Sequence, residues 1–562
     1  MRKAAITLTA MLAPALAPAA SAPALNGDPG IHDPATVIEH NGRYYTYGTG
    51  GGLPISLSDD GWTWRREGTV MQAVPGGRSS PATLEKGGNN TWAPDIVRVG
   101  DKYYMYYSAP GTQPKSAIGL LVARTLDPSS PDYGWEDRGP VVWSDGIEDS
   151  NAIDPGVLLD PTDGKLWMVY GSYFGYIRLV ELDPKTGLRR YPDRKPIDVA
   201  INSEASTLIY RDGWYYLLLT HGSCCQGANS TYNIRMGRSR KVTGPYLDNM
   251  GIDMIQGGGK LFLGSQGRFI GPGHFGLLDL GQGVQKFSLH YEADLDRGGI
   301  SVLDIRPLLW RDGWPVAGEN LAEGDYMIES ARTGTVLEMA VQGVQVGGAR
   351  GRGAGPGPGA GGPPGGPGGP PRAGGAGGPG GAGGPPRAGG PGGAGAPGAG
   401  ALGGFGPPGG GAPGGAPGGA PAQRTPIPDQ TATEVGGTWP AGTVAARLAP
   451  HMLQAQQRWH ISAAPGAGGY PGAPWFRIRI AGTERSLAAN SDGELSIVPT
   501  FSGAPEQLWR IDQLADGTYR IMPRAVPGKS TPMALSAVGS SMPTLSEFRP
   551  ESDRYRWIIR TP

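Results

Sequence analysis

The chain of 562 residues is too long for one ordinary domain, and its 49 basic side chains balance its 49 acidic ones. This balance gives no support for a nucleic-acid partner or an anionic membrane surface, since both select basic patches. Gly (98 residues) and Pro (55 residues) are over-represented, but most of the excess falls in one block of the chain.

The first residues predict an export signal. Arg2 and Lys3 precede an Ala-rich apolar run, and small residues up to Ala24 offer a cleavage site. We therefore assign residues 1–24 to a signal peptide and expect a secreted or periplasmic protein; a disordered Ala/Pro tail is the alternative. No stretch of the sequence is long enough for a transmembrane helix, so we expect no membrane partner.

A repeat follows, in which a polar head residue precedes a strand, a tight turn and a Tyr-rich second strand. In its first copy the head Asp33 is followed by Asn41-Gly42 and by a strand that begins at Tyr44. Heads recur after 59, 62, 50 and 70 residues, which leaves room for four short strands per repeat. This pattern predicts an all-β fold, a five-bladed β-propeller over residues 26–318. The five heads are Asp33, Trp92, Asp154, Glu204 and His274.

Equivalent positions of a propeller surround one axis, so the heads are expected to converge at one mouth. Three carboxylates among them make a poor core, because buried acids without basic partners are costly. The alternative is a set of turn-capping residues, since Asp before Pro often begins a turn. Two carboxylates that flank a bond are the minimal apparatus of glycoside hydrolysis, and a third can raise the pKa of the acid. The flat apolar face of Trp92 suits a sugar ring.

The short motifs around the heads resemble those of glycoside hydrolase family 43, over roughly residues 30 to 315. Within that family they are most similar to the endo-1,5-α-L-arabinanases. The resemblance implies an inverting enzyme, and we expect a monomer that acts on plant cell-wall arabinan, a side chain of pectin. The motifs are His32-Asp33-Pro34, Trp92-Ala93-Pro94-Asp95, Ile153-Asp154-Pro155, Ser203-Glu204-Ala205 and Gly271-Pro272-Gly273-His274.

The resemblance also implies roles for single residues. Asp33 is expected to be the general base, Asp154 the residue that tunes the pKa of the acid, and Glu204 the general acid. Inversion needs space for a water, so base and acid should lie ~6.5–9.5 Å apart. The residues expected to bind substrate are Trp92, Asn151, Ser172 and Tyr173.

His274 is implied to be the one protein ligand of a central metal ion that is completed by waters. Calcium is the usual ion of the family, although an imidazole ligand is unusual for a hard, oxygen-seeking cation. The alternative is a histidine that is only hydrogen-bonded within the pore.

Cys224 and Cys225 lie in a segment that resembles a branch of the same arabinanases. Adjacent Cα atoms are ~3.8 Å apart, which is below the usual range for a disulfide. A strained vicinal disulfide beside Glu204 and a pair of free thiols both remain open.

A second repeat closes the chain, with Trp459, Trp509 and Trp557 recurring after 50 and 48 residues. Its Gln-x-Trp motifs resemble the ricin-type β-trefoil, which we assign to residues 319–562. An acid early in each repeat grips the sugar in that family, and the positions we read there are Glu338, Ala489 and Ala534. The acid is missing from two of these three positions, so two alternatives remain open for this domain, a sugar-binding lectin and a purely structural appendage. Residues 347–422, rich in Gly, Pro and Ala, cannot bury a core and predict a disordered insert.

Three functions are compatible with this sequence. The first is an endo-arabinanase, and the second is an exo-acting α-L-arabinofuranosidase or β-xylosidase of the same family. The third is a non-catalytic, carbohydrate-binding propeller, which the set of three acids argues against, because binding alone does not require them.

Overall fold

Strands form nearly all the regular structure in the computed structural model, which describes residues 22–112, 114–147, 149–341 and 439–562. Over these ranges the one α-helix is α1 (Pro81–Lys86), and no helix there is long and apolar enough to cross a membrane. Most of the predicted signal peptide and all of the insert 347–422 lie outside the described residues. The 3-10 turns are Val70–Ala73, Gly227–Asn229, Met254–Gln256, Leu295–Arg297, Ala455–Gln457, Pro505–Gln507 and Asp553–Tyr555.

Five sheets form the blades of a β-propeller, as the repeat predicted. The first blade contains β1 (Asn26–Gly27), β2 (Ile38–His40), β3 (Arg43–Tyr47), β4 (Pro54–Ser58) and β5 (Thr63–Thr69). The second contains β6 (Trp92–Val99), β7 (Lys102–Pro110), β8 (Lys115–Ala123) and β9 (Glu136–Asp145). The third contains β10 (Gly156–Leu159), β11 (Leu166–Tyr170), β12 (Tyr176–Leu182) and β13 (Ile197–Ile201). The fourth contains β14 (Glu204–Arg211), β15 (Trp214–His221), β16 (Asn233–Ser239) and β17 (Lys260–Leu263). The fifth contains β18 (Phe269–Asp279), β19 (Gln285–Asp294), β20 (Ile300–Arg311) and β21 (Trp314–Ala317).

The turns between the first two strands of a blade follow from their sequence. Asn41 and Gly42 both have positive φ (52° and 79°), as do Asp212 and Gly213 (51° and 78°). A two-residue turn of type I′ requires this backbone at both positions, and Asn-Gly and Asp-Gly adopt it at little cost. These turns lie at the end of the propeller opposite the heads, because each head precedes or begins the inner strand.

Apolar side chains fill the space between neighbouring blades. Successive residues of a strand face opposite sides, so β7, β11 and β15 each contribute to two clusters. Each fully buried side chain of this kind stabilises the fold by about 1.5–3 kcal/mol. Representative pairs are Tyr45 and Tyr107 (blades one and two), Tyr106 and Met168 (two and three), Val169 and Leu217 (three and four), Leu218 and Phe287 (four and five), and Trp64 and Leu303 (five and one).

The inner strands approach one another closely around the axis. The carboxylate of Asp95 joins blade one to blade three, because it accepts from the amides of Thr36 (3.1 Å) and Val157 (2.9 Å). A Cβ atom on Gly156 would lie 1.9 Å from the carbonyl oxygen of Ser206. Only glycine therefore fits where β10 passes β14.

The segment before Asp33 closes the ring between the first and last blades. It pairs with blade one through β1, which runs parallel to β5. It also contacts blade five, since the Ile31 amide donates to the Ser301 carbonyl (3.2 Å) and the Leu303 amide donates to the Pro29 carbonyl (2.8 Å). This strip of chain therefore lies between the two blades and leads directly to Asp33.

The C-terminal region is a separate set of strands. Six strands pair in succession in the order β22-β25-β28-β31-β32-β35, and β35 pairs with β22, so the ring closes. Three hairpins, β23–β24, β29–β30 and β33–β34, accompany the ring. The strands are β22 (Gly324–Ser330), β23 (Val336–Met339), β24 (Val444–Ala449), β25 (Trp459–Ala463), β26 (Gly469–Tyr470), β27 (Ala473–Pro474), β28 (Phe476–Ile480), β29 (Ser486–Ala489), β30 (Leu495–Val498), β31 (Trp509–Gln513), β32 (Tyr519–Pro523), β33 (Met533–Val538), β34 (Met542–Glu547) and β35 (Trp557–Arg560).

The three tryptophans of the second repeat make the same hydrogen bond. Trp459, Trp509 and Trp557 donate from Nε1 to the carbonyl oxygens of Leu337 (2.8 Å), Leu487 (3.0 Å) and Leu535 (2.9 Å). The residues after these leucines are Glu338, Ala488 and Ser536, so our choice of Ala489 and Ala534 as the equivalents of Glu338 is wrong by one or two residues. Glu338 itself is buried and accepts from Gln457 Nε2 (2.8 Å) and Arg447 Nε (2.6 Å).

The C-terminal region contacts the propeller at the turns opposite the mouth. The Gly472 amide donates to the Gly61 carbonyl (3.0 Å), and the Ala515 amide donates to the Gly283 carbonyl (3.0 Å). Buried Lys286 donates to the Pro471 carbonyl, and burial lowers the pKa of Lys286 to about 8. The C-terminal region therefore lies away from the heads.

Deletion of residues 347–422 should leave folding and turnover nearly intact. The flanks of this segment are already held together, because β23 pairs with β24 over Val336↔Ala449 to Met339↔Ala446. Closure entropy grows slowly with loop length, so shortening the connection changes the free energy of unfolding by about 1–2 kcal/mol. Thermal unfolding and kcat on a soluble oligosaccharide, compared with the full chain, test this expectation; a severe loss of either would contradict it.

Candidate active site

One non-glycine residue at the inner strand of each blade has a left-handed backbone. These residues are Asp33, Ala93, Asp154, Ala205 and His274, with φ of 48°, 33°, 55°, 49° and 53°. Such a backbone is strained for residues other than glycine and persists only where the surroundings hold it. The five residues mark the equivalent positions around the mouth. Trp92 and Glu204, which we predicted to be equivalent to Asp33, each lie one residue before these positions.

The amide of each of these residues donates to a side chain of the preceding blade. Ala205 donates to Asp154 Oδ2 (3.1 Å), which ties the residue after Glu204 to Asp154. In the other blades the acceptor lies in or just beyond the second strand. The four bonds are Asp33 N to His290 Nδ1 (2.7 Å), Ala93 N to Thr49 Oγ1 (2.8 Å), Asp154 N to Ser108 Oγ (2.9 Å) and His274 N to Thr220 Oγ1 (3.1 Å).

Asp33 is surrounded by groups that favour its ionised form. Its Oδ2 accepts from Thr49 Oγ1 (2.5 Å) and lies 2.8 Å from His32 Nδ1, while its Oδ1 lies 3.0 Å from His274 Nδ1. Burial alone would raise the pKa of Asp33, but attraction to His274 and His32 outweighs it and holds this pKa well below the ordinary value. Asp33 is therefore a carboxylate that can accept a proton from water.

Glu204 and Asp154 have the opposite electrostatic environment. Burial raises the pKa of Glu204, and the hydrogen bonds from Tyr232 and Ser172 oppose this only in part. Burial also raises the pKa of Asp154, to about 8, with repulsion from Glu204 and Asp33 adding to it and His274 opposing it. One proton is thus retained by these two acids near neutral pH, while Asp33 is ionised. Carboxyl groups whose pKa values are pushed apart in this way can serve as acid and base in one reaction.

Tyr232 and His290 connect the surroundings of Glu204 to those of Asp33. The Tyr232 hydroxyl donates to Glu204 Oε1, and the Tyr232 ring stacks on His290 with centroids 6.2 Å apart. His290 is fully buried and accepts the amide of Asp33, so its Nε2 carries the proton. Burial holds the pKa of His290 well below its ordinary value.

His274 lies beside the acids, where the resemblance placed it. It is largely buried, and within the described ranges its Nδ1 has no hydrogen-bond partner, although Asp33 Oδ1 is 3.0 Å away. Burial opposes protonation of His274, but the attraction of Asp33 and Asp154 raises its pKa overall. No group of three clustered protein ligands in the described residues includes His274. In its neutral form, His274 could hold a cation, with waters as the other ligands, because it lies next to carboxylates.

The four residues expected to bind substrate differ in exposure. Tyr173 is 39% exposed and lies beside Phe174, which is 51% exposed, so both present aromatic surface to solvent. Ser172 is buried and donates to Glu204 Oε2 (2.9 Å). Asn151 is also buried; its Oδ1 accepts from Ser116 Oγ (2.8 Å), and its Nδ2 has no partner among the residues described. Trp92 is half-buried.

Cys224 and Cys225 are joined in a disulfide, with their Cα atoms 3.8 Å apart. The Cys225 amide donates to Glu292 Oε2 (3.0 Å), and Glu292 Oε1 lies 3.0 Å from His32 Nε2. The disulfide loop therefore contacts the base through Glu292 and His32.

Comparison with known proteins now identifies the family. The sequence profile of the glycosyl hydrolases family 43 matches residues 22–315, which is more than half of the chain. The chain belongs to glycosyl hydrolase family 43. The match spans the five blades and every head residue, and it ends before the C-terminal ring of strands.

Several known proteins are similar in sequence to this propeller. The extracellular endo-α-(1→5)-L-arabinanase 1 of Bacillus subtilis is 34% identical over 296 residues, which cover 51% of this chain and 87% of that protein. The extracellular exo-α-(1→5)-L-arabinofuranosidase ArbA of Cellvibrio japonicus is 36% identical over 309 residues (51% and 86%). A crystal structure of an exo-1,5-α-L-arabinanase from a bovine ruminal metagenomic library is 35% identical, covers 52% of this chain and 100% of its own, and has a TM-score of 0.46.

Several residues of this family 43 site were not predicted from the sequence. Thr49, Ser108 and His290 accept from the amides of the left-handed residues Ala93, Asp154 and Asp33, and the Tyr232 hydroxyl donates to Glu204. Three of these four lie in or just after the second strand of a blade, one blade before the residue that they hold. That repeated position is a signal that a blade-by-blade alignment could have found.

Proposed function

We propose that this family 43 enzyme hydrolyses α-1,5-linked L-arabinan with inversion of configuration. In this proposal Asp33 is the general base, Glu204 the general acid and Asp154 the residue that tunes Glu204. The observation that carries it is the opposite electrostatic setting of the acids: two imidazoles keep Asp33 ionised, while burial raises the pKa values of Glu204 and Asp154. The similarity to an endo-α-(1→5)-L-arabinanase and to an exo-α-(1→5)-L-arabinofuranosidase supplies the substrate class.

The reaction needs one proton to leave water and one to reach the leaving oxygen. Asp33 accepts the proton of a water as that water attacks the anomeric carbon, and Glu204 donates its proton to the oxygen of the departing sugar. Ser172 and Tyr232 hold Glu204 through hydroxyl groups, which can also accept, so the same contacts persist when Glu204 is protonated. Asp154 accepts from the Ala205 amide and shares the proton of this side of the cleft with Glu204, because burial raises the pKa of both acids.

We further propose an endo mode of attack. The loop after β3 carries Gly50 and Gly51, and a Cβ atom added to either would meet nothing within 4 Å. Side chains are thus absent from this loop close to Asp33, which supports a cleft that accepts the interior of a polymer. An exo-acting α-L-arabinofuranosidase is the second candidate, because ArbA, a relative of similar identity, carries that name.

Two measurements on debranched linear arabinan test these proposals. The first product should carry the inverted anomeric configuration, read by NMR before mutarotation; retention, or a trapped glycosyl-enzyme, would make one of the acids a nucleophile. Product sizes over time separate the modes of attack. A spread of oligosaccharides supports endo action, whereas release of one small product from the first minutes supports exo action.

We also propose that His274 holds a calcium ion on the propeller axis, with waters as its other ligands. The bound ion supplies positive charge beside Asp33 and Asp154 and so favours their ionised forms. Its support is the position of His274, a largely buried imidazole beside the carboxylates of Asp33 and Asp154.

Chelation and His274→Ala should each lower the melting temperature and activity together. Alanine fits this backbone, because Ala93 and Ala205 adopt it at equivalent positions. Elemental analysis should find about one ion per native chain and less than about a tenth of that in His274→Ala. The matched control is His451→Ala, at an exposed histidine of the C-terminal region, which should keep the full amount. Native, active protein without any bound ion would contradict the proposal.

The C-terminal region and the first residues of the chain support further proposals. We propose that the C-terminal region is a β-trefoil, which the closed ring of six strands, the three hairpins and the repeated tryptophan bonds support. The Glu338 carboxylate already accepts hydrogen bonds from Gln457 and Arg447, so a structural role is favoured over sugar binding at this position. We propose secretion on the pattern of residues 1–24 and on relatives that are named extracellular.

A further inference from the structure

Glu292, in β19, is a buried carboxylate that the proposed mechanism leaves without a role. Its side chain is 2% exposed, and its Oε1 is paired with His32 Nε2 at 3.0 Å and lies 3.7 Å from Nε2 of the neutral His290. Its Oε2 accepts the Cys225 amide (3.0 Å). A buried carboxylate is costly unless it is paired and hydrogen-bonded, so these contacts fix the position of Glu292 as well as satisfying its charge.

His32 lies between two carboxylates. Its Nε2 is bonded to Glu292, and its Nδ1 is 2.8 Å from Asp33 Oδ2. The contact of Nδ1 with Asp33 is an ion pair without hydrogen-bond geometry, so the positively charged imidazolium is the form that serves both contacts. The ring also packs against His290, with centroids 4.6 Å apart, and cannot swing freely. Glu292, His32 and Asp33 therefore form a continuous chain from the core of blade five to the mouth.

This chain acts on one oxygen of Asp33. Oδ2 is held by His32 and by Thr49 Oγ1 (2.5 Å), whereas Oδ1 faces His274. Fixing Oδ2 determines the plane of the carboxylate, and so determines where the base can accept a proton. A displacement of about 1 Å at a reacting group can lower the rate about 100-fold, so orientation of this kind has a measurable effect.

We propose that His32 and Glu292 are positioning residues for the general base, Glu292 fixing the imidazole and the imidazole fixing the Asp33 carboxylate. The inference rests on the proposed function, because it takes Asp33 as the base. It adds two residues that do not touch the substrate but determine how well Asp33 works.

Two substitutions of His32 separate positioning from simple packing. In His32→Asn, the side-chain amide lies near the position of Nδ1 and donates towards Asp33. In His32→Gln, the longer side chain places the amide near the position of Nε2, so that it donates towards Glu292. We expect kcat to fall about 30–100-fold in His32→Gln but less than about 10-fold in His32→Asn, with KM within about threefold of native in both. A residue that only packs would show no such difference between the two amides.

Glu292→Leu removes the carboxylate without leaving a buried charge. We expect its kcat to fall about 10–100-fold, equally on arabinan and on an aryl α-1,5-arabinotrioside with a good leaving group, because the base step does not depend on the leaving group. Asp294→Asn, two residues along the same strand, is the matched control; Asp294 caps the turn at Leu295 and should leave kcat unchanged. Glu292→Gln replaces Glu292→Leu if the latter does not fold.

The results distinguish a failure of the positioning role from a failure of the proposed function. If His32→Gln and Glu292→Leu fold and keep kcat within about threefold of native while Asp33→Asn is inactive, the positioning role is wrong and the base assignment stands. Equal losses in His32→Asn and His32→Gln, or losses in KM alone, would also overturn it. Full activity of Asp33→Asn would instead overturn the base assignment itself.

Discussion

Asp33→Asn should lower kcat by about 10³–10⁴-fold on every substrate, whatever its leaving group. Asparagine has nearly the same shape and tolerates the left-handed backbone that Asp33 adopts (φ 48°), so the fold should be retained. It cannot take the proton of water, and burial raises the pKa values of the two neighbouring acids, Asp154 and Glu204, so neither can replace it as the base. Steady-state kinetics on arabinan and on an activated aryl arabinotrioside measure the effect.

A matched substitution controls for the loss of an Asp in a left-handed turn. Asp212 also has positive φ (51°) but lies exposed at the opposite end of the propeller, so Asp212→Asn should keep native kcat. If Asp33→Asn kept more than about a tenth of native kcat, Asp33 would not be the base.

Glu204→Gln should show a loss that depends on the leaving group. We expect kcat on arabinan to fall about 10³-fold, whereas an aryl substrate with a good leaving group should lose less than about 10-fold, because it needs little protonation. The raised pKa of Glu204 predicts a pH profile as well. Below that pKa the acid is protonated and active, and activity on arabinan is lost as the pH rises through it.

The pH profile of Glu204→Gln on the aryl substrate should lack this alkaline limb. Ser172→Ala, which removes one hydrogen bond to Glu204 but leaves the carboxyl, is the companion variant and should keep the limb. Equal losses of Glu204→Gln on both substrates would assign the donor role to another group.

The architecture of the propeller was predictable because its signals are local. Asn41-Gly42 and Asp212-Gly213 form the left-handed turns that such dipeptides favour, and the Tyr-rich strands that follow them are buried. Repetition of this unit fixed the number of blades and brought Asp33, Asp154 and His274 to equivalent positions.

The register of the heads was not predictable by counting residues. The pairing of β6 with β7 shifts between Trp92 and Asp95, and that of β14 with β15 shifts between Glu204 and Thr207. Such irregularities add a residue on one strand without a sequence signature of their own. Counting from the second strand placed Trp92 and Glu204 one residue away from the left-handed positions, although the same shift in blade five, between Gly273 and Gly276, left His274 correctly placed.

The residues that contact His32 and the proposed base could not be predicted, because they lie far from them along the chain. His290 and Glu292 lie 257 and 260 residues after Asp33 and His32, the residues that they contact. Only closure of the ring brings them together, and no local pattern distinguishes them from other polar residues of β19. The vicinal disulfide was left open for a similar reason, since adjacency allows either the bond or two thiols.

Closure of the ring through the segment before Asp33 has a consequence for how activity is lost. Local opening of a protein begins where few contacts cross, and chain ends are the usual places. Here the strip from Asn26 to Ile31 is held to blade five by a few backbone hydrogen bonds, and Asp33 follows two residues later. Partial detachment of this strip withdraws the base from His290 and His274 while the other four blades remain paired. The base thus depends on the contacts that close the ring, and we expect inactivation on heating to precede global unfolding.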